Sequence, residues 1–247
     1  MNGETDRADK VLVARGFFDS RSAARAAIKA GGVFSDGQLV SKPSQSIAVS
    51  GRLSATAAHP YVSRGGLKLS HAMHAFSISP ADKICVDLGA STGGFTDVLL
   101  KAGASRVSCV DVGRDQLHPR LRADQRTTVY EETDVRNVTS LHVPQDTSLI
   151  VADLSFIGLE KALGPALALA PVGTDLVCLF KPQFQVGRSG VGKRGIVRQQ
   201  DLADAAAEQL TAWMGGAGWS ILKWTDSPIL GGDGNSERLF HARNTSD

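Results

Sequence analysis

The stretch VDLGASTGGF, Val86 to Phe95, passes from an apolar strand-like run through three glycines into a helical pattern. Gly89, Gly93 and Gly94 match neither GxGxxG nor GxxxxGK. Glycines at such a place let the backbone approach a ligand closely, and the helix start offers unpaired N–H groups. The loop carries no Lys or Arg, which argues against a triphosphate and suits a nucleoside bearing a cationic sulfonium.

Outward from this loop, apolar runs recur with helical segments between them, the spacing of βαβ units. The runs are KICVDLG, RVSCVDV, TTVYEETDV, SLIVADLSF, DLVCLFKPQF, WSILKWT and ERLFHAR. The first, fourth and fifth are almost continuously apolar, as central parallel strands covered on both faces must be. Helical patterns fit residues 66–76, 95–102, 159–169 and 199–213. An α/β sheet follows as the expected fold, with ligands bound along the C-terminal edge of its strands. Asp111 ends the second run, where a carboxylate can accept bonds from both ribose hydroxyls of a nucleoside. ETDV places Asp134 at the end of the third run, along the same edge.

The head of the chain differs from this body. Residues 1–57 hold eight Lys/Arg against five Asp/Glu, and the remainder nineteen against twenty. In RADKVLVARGF the apolar residues Val11, Leu12 and, farther on, Phe17 have helical spacing. Asp19 or Ser20 caps a second helix, RSAARAAIKAG, which Gly31 or Gly32 ends. Short strands follow in GVFSDGQLV, with Asp36-Gly37 as the turn, and in QSIAVSG. Arg21, Arg25 and Lys29 form a basic stripe at i, i+4 and i+8, and with Arg7 they make the head a candidate RNA-binding unit. RLSATAAHPYVSRGG is small, polar and proline-containing. Its first half reads as linker, giving units of 1–57 and 65–247 joined by 58–64.

A second glycine loop, QVGRSGVGKRG from Gln185 to Gly195, nearly spells a Walker phosphate loop. Arg194 stands where the magnesium-binding hydroxyl is needed, and the loop follows the fifth run rather than the first, so nucleotide hydrolysis is disfavoured. Residues 183–198 contain Arg188, Lys193, Arg194 and Arg198 and no acidic residue. Such a composition suits RNA phosphates. Cys85, Cys109 and Cys178 are far apart in apolar runs, which reads as buried thiols in a reducing compartment, not a metal site. The polar start has no secretory pattern, and no run is long enough to span a bilayer.

VDLGASTGGFTDVLL resembles the S-adenosylmethionine-binding motif of FtsJ-type RNA ribose methyltransferases. The whole chain resembles the TlyA family of rRNA 2′-O-methyltransferases, also known as hemolysins. The resemblance implies a Rossmann-like sheet of six parallel strands and one antiparallel. It also implies a small α+β head, ADKVLVARGFFDSRSAARAAIKAGGVFSDGQLVSKPS, of a kind shared with a small-subunit ribosomal protein. Asp87, Gly89, Ala90, Ser91, Gly93, Gly94, Phe95, Asp111 and Asp134 would hold S-adenosylmethionine. A Lys-Asp-Lys-Glu tetrad would be Lys68 in SRGGLKL, Asp153 in VADLSF, Lys181 in LFKPQF and Glu237 in GNSERL. RNA contacts would come from Arg7, Arg21, Arg25, Lys29, Arg64, Arg188, Lys193, Arg194 and Arg198. The implied substrate is a cytidine ribose in ribosomal RNA, the short start and tail favouring the large subunit. The protein is expected to be cytoplasmic, without metal or membrane partner, its oligomeric state left open with a monomer favoured.

The residues themselves suit that chemistry. A ribose hydroxyl is a poor nucleophile, and a lysine beside it stabilises the developing alkoxide or takes its proton. Lys181 is expected to contact the 2′-oxygen, with Asp153 orienting it. Lys68 is expected to add positive potential, and Glu237 to hold both lysines. Three other readings remain: a non-catalytic RNA-binding factor, a small-molecule methyltransferase and a membrane-lytic protein.

Overall fold

The computed structural model describes residues 4–187, 190–192 and 195–246. The chain divides into two compact units after Pro60.

In the first unit β1 (Thr5–Arg7) leads directly into α1 (Ala8–Ala14), followed by α2 (Arg21–Lys29), β2 (Val33–Ser35), β3 (Gln38–Leu39), β4 (Ser46–Ala48) and β5 (Leu53–Ala55). β1 pairs with β4, and β2 pairs with both β3 and β5, all antiparallel. Ala8, Leu12, Ala24, Ile28, Val33, Val40 and Ile47 form the core between helices and strands. The Ser20 hydroxyl caps α2, accepting from Ala23 N at 3.2 Å. Asp36 and Gly37, with φ of 50° and 81°, make the predicted turn between β2 and β3. A left-handed pair of this kind matches the twist of the strands it joins. Phe17 lies beyond α1 rather than on its face, because the helix has already ended at Ala14. The first half of the expected linker is also structured. Leu53–Ala55 pairs with β2, a contact decided by a partner strand some twenty residues away rather than by its own polar composition.

The second unit opens with Tyr61–Arg64, which pack onto it: Tyr61 OH donates to Ser70 Oγ at 2.9 Å and Val62 N to Asp97 Oδ2 at 2.9 Å. Then come α3 (Gly65–Phe76), β6 (Ile84–Leu88), α4 (Gly94–Lys101), β7 (Arg106–Val110), α5 (Pro119–Arg122), β8 (Thr127–Tyr130), β9 (Leu149–Ala152), α6 (Leu159–Leu169), β10 (Asp175–Phe180), α7 (Gln200–Gly216), β11 (Trp219–Asp226) and β12 (Arg238–Asn244). They build a seven-stranded sheet in the order β11-β12-β10-β9-β6-β7-β8. β12 runs antiparallel to both of its neighbours and the other strands run one way, six parallel and one antiparallel as expected.

Alternation along each strand supplies two cores. Val86, Leu88, Ile150, Ala152, Cys178 and Phe180 point to the face covered by α6 and α7. Cys85, Leu149, Val151, Val177 and Leu179 point to the face covered by α3 and α4. The three cysteines are free and buried in these cores, and burial pushes the Cys85 thiol up to about 12. The same alternation turns Asp87 toward the α4 face, beneath the start of that helix.

Candidate active site

Two groups of predicted residues meet at the C-terminal edge of the sheet. The first surrounds the glycine loop between β6 and α4. Asp87 is wholly buried. Its Oδ2 accepts from Thr96 Oγ1 at 2.6 Å, while Oδ1 has no partner. Burial pushes this carboxyl up to about 7 against the opposing Thr96 hydrogen bonds. An unpartnered buried carboxylate oxygen is costly unless it meets a cation. Gly89 has a φ of +81°, and a Cβ there would lie 2.6 Å from the Asp153 carbonyl oxygen. The absence of that Cβ lets the loop close against β9. Gly93, with a φ of +92°, meets Leu121 in the same way. Ala90 and Phe95 are buried core residues, Phe95 in α4, and Ser91 is exposed with a φ of 47°.

Asp111 follows β7. Its Oδ2 accepts from Ser91 N at 2.8 Å and its Oδ1 from Gly113 N at 2.7 Å. Each oxygen keeps capacity for a ribose hydroxyl. Val112 beside it is 71% exposed and offers an apolar surface to a base. These features fit a nucleoside with a cationic tail. Asp134 does not end β8, which stops at Tyr130. It caps a short 3-10 turn at Val135–Asn137 and is paired with Arg136, which holds its carboxyl down at about 2.

The second group is the expected tetrad. Phe180 pairs with Arg238 across β10 and β12, so Lys181 and Glu237 stand one step farther along the same ladder. Ala152 pairs with Cys178, which puts Asp153 at the equivalent end of β9. Lys181 Nζ lies 2.6 Å from Asp153 Oδ1 and donates to Ser155 Oγ at 2.7 Å. Lys68, one turn into α3, forms an ion pair with Glu237. From the sequence, Glu237 is expected to hold both lysines. In the structure it holds Lys68, and Lys181 is held by Asp153 and Ser155. Both lysines are buried. A buried lysine is costly even when paired, so two of them held at one strand edge point to chemistry. Gly65 starts α3 within reach of Asp153, a Cβ there lying 3.8 Å from Oδ2, and the exposed Arg64 precedes it.

Residues outside the sequence reading also lie here. Phe156, three residues after Asp153, is 91% exposed with a φ of +64°. Its ring centroid is 5.2 Å from that of Phe184, three residues after Lys181. The one sequence signal is a phenylalanine three residues after Asp153 and again after Lys181. Ser155 was likewise missed. Among the described residues no group of three or more His, Cys, Asp or Glu is arranged to hold a metal ion, and no helix is long and apolar enough to cross a membrane.

In the first unit the predicted basic stripe is organised from inside. Asp9 is fully buried, with Arg7 Nε at 3.0 Å, Arg21 Nη2 at 2.9 Å and Arg25 Nε at 2.8 Å. Its hydrogen bond from Arg7, with those from Arg25 and Arg21, holds the Asp9 carboxyl far below the usual range. The three guanidinium groups remain about half exposed, and Lys29 is exposed. Arg198 is exposed as well, whereas Arg188, Lys193 and Arg194 lie outside the described residues.

The sequence of this second unit, residues 61–244, matches the FtsJ-like methyltransferase family. The chain belongs to that family. Residues 6–51 of this FtsJ-like methyltransferase match the S4 domain. It is 40% identical to YqxC of Bacillus subtilis over 98% of this chain and 86% of that protein. It is 39% identical to the 16S/23S rRNA (cytidine-2′-O)-methyltransferase TlyA of Mycobacterium tuberculosis, over 98% and 91% of the two chains. A solved structure from Streptococcus thermophilus is 38% identical, with a TM-score of 0.77 over 98% of this chain and 89% of that one.

Proposed function

We propose that the protein transfers the methyl group of S-adenosylmethionine to the 2′-oxygen of a cytidine in ribosomal RNA. The observation that carries this reading is the two ion pairs, Lys181–Asp153 and Lys68–Glu237, which hold both buried lysines at the strand edge beside the glycine loop. The similarity to an rRNA cytidine 2′-O-methyltransferase over nearly the full chain supports the substrate class.

Asp87 holds the cofactor's ammonium group, Asp111 its ribose, and Gly89 to Phe95 the loop around it. Asp134, already committed to Arg136, contributes at the rim. The cofactor supplies an electrophilic methyl on sulfonium. Lys181 meets the 2′-oxygen as base or alkoxide stabiliser, with Asp153 and Ser155 fixing its Nζ. Lys68 adds positive potential and Glu237 fixes Lys68. No bond is made to the enzyme, so much of the rate comes from positioning. Arg7, Arg21, Arg25, Lys29, Arg64 and Arg198, with Arg188, Lys193 and Arg194 of the basic loop, engage phosphates, which supply affinity without sequence information.

The test is methyl transfer from labelled S-adenosylmethionine to separated large and small ribosomal subunits, with the large subunit the favoured acceptor. Wild type is expected to label a ribose 2′-oxygen. Lys181→Ala is expected to lower transfer by about 10²- to 10⁴-fold with cofactor affinity unchanged. Label on a base would sink the assigned chemistry. No transfer to either subunit, with cofactor bound, would favour an RNA-binding factor.

A further inference from the structure

The turn ahead of β12 contains a buried amide that the tetrad does not use. Asn235 is 1% exposed. Its Nδ2 donates to Gly195 O at 2.9 Å and its Oδ1 accepts from Val197 N at 2.9 Å. Its own carbonyl accepts from Gly231 N at 2.9 Å, and Gly234 N donates to Gly231 O at 3.1 Å, which closes the turn. The side chain therefore grips the end of the basic segment 183–198, while the main chain shapes residues 231–235. Glu237 sits against that turn, since a Cβ on Gly231 would lie 2.5 Å from Glu237 Oε1. The other carboxylate oxygen of Glu237 pairs with Lys68.

We propose that Asn235 is a positioning residue that ties the basic segment to the seat of Glu237, so that RNA engagement and tetrad geometry are set together. The proposal rests on the methyl-transfer reading above. An asparagine suits the task because one short side chain carries a donor and an acceptor in fixed opposition. Aspartate keeps the size but sets a carboxylate oxygen against the Gly195 carbonyl, and that repulsion pushes the segment away and parts Val197 N from its acceptor as well. Alanine leaves both main-chain groups without a partner. A side chain at 231 would meet the Glu237 carboxylate, which would have to shift to make room.

The experiment compares wild type with Asn235→Ala and Asn235→Asp, the second guarding against a failure of the first to fold. Amide hydrogen exchange is read at Val197 and in strands β6 and β10. Methyl transfer to ribosomal subunits gives kcat and KM for RNA separately, and calorimetry gives cofactor affinity. Faster exchange at Val197 with unchanged core strands is expected. So are a lower kcat and a raised KM, together about 10- to 100-fold in kcat/KM, at constant cofactor affinity. Unchanged exchange at Val197 would overturn the clasp. Faster exchange with unchanged kcat and KM would overturn its role in positioning, and parallel loss of cofactor affinity and core protection would reduce it to general stability. If wild type itself transfers no methyl to RNA, the methyl-transfer reading fails and takes the catalytic half of the proposal with it, while the exchange result still judges the clasp.

Discussion

A phenylalanine with a φ of +64° and nearly all of its surface in solvent is unfavourable in two ways, and Phe156 is both. A left-handed conformation at a residue other than glycine costs about 1–3 kcal/mol and clusters at functional sites. The exposed ring lies beside Phe184, three residues along the chain from Asp153. Such a ring is suited to stack on an RNA base. Stacking is worth about 1–3 kcal/mol per base, so Phe156→Ala should lower kcat/KM for RNA by about 10- to 100-fold. Cofactor affinity and melting temperature should not fall. Unchanged turnover would remove Phe156 from the substrate path. Asp87 makes a second prediction at this scale. Burial raises its carboxyl to about 7, so near pH 6 most molecules carry the proton before a cationic cofactor binds. If the cofactor's ammonium group meets Asp87, binding favours the ionised form, so affinity should strengthen as pH rises through about 7 and weaken below it, with a proton released on binding. Asp87→Asn should bind more weakly with little pH dependence. Calorimetry in two buffers of different ionisation heat measures the released proton directly, and no proton release near pH 6 would contradict this role.

Among the elements, β12 is the piece whose placement most affects the site, and it is tied down at both ends. At the far end from the tetrad, Asp175 at the start of β10 accepts from His241 Nε2 at 2.9 Å and Arg243 Nη2 at 2.8 Å, both on β12. It also accepts from Lys83 Nζ at 3.3 Å, just before β6. Burial alone would raise the Asp175 carboxyl, but His241, Arg243 and Lys83 outweigh it and hold the carboxyl well below its ordinary value. Because the folded pKa is depressed, the stabilisation is present above the unfolded value of about 3.9 and is lost as pH falls through the folded pKa. Asp175→Asn should cost about 3–5 kcal/mol at pH 7, the range for removing one partner of a buried ionic cluster. The gap from wild type should close as pH drops below about 4. Urea unfolding at both pH values checks this, and a variant matching wild type at pH 7 would show that the cluster does not stabilise the strand pair.

The whole molecule combines a basic first unit with a near-neutral catalytic one, and the two divide after Pro60. If the first unit supplies phosphate contacts, residues 61–247 alone should keep cofactor affinity and bind ribosomal RNA more weakly. The salt dependence should also flatten, by roughly 0.9 in log–log slope for each phosphate that the first unit no longer neutralises. Filter binding across a salt series measures both, and an unchanged slope would move the RNA-binding surface to the catalytic unit.

Much of this was legible in sequence because it is local. Apolar runs mark each of the seven sheet strands, and helical periodicity placed α6 at Leu159–Leu169 without correction. The glycines of Val86–Phe95 and the residues ending β7, β9 and β10 were readable for the same reason: strand ends follow from where apolar runs stop. Pairing was not readable. β5 looked like linker because its partner β2 lies elsewhere in the chain. Lys68 and Glu237 are 169 residues apart, and nothing near either one says which carboxylate meets which lysine. Asp9 reads as an ordinary first-turn acid of α1 until three arginines from β1 and α2 close over it. The sequence by itself determined the periodicities, the loop chemistry and hence the fold class, since each depends on neighbours a few residues away. Tertiary structure alone decided strand partners and ion-pair choice, because those depend on which distant segments share a low-dielectric space, and it alone set the solvent-facing Phe156 against Phe184 at the end of the neighbouring strand.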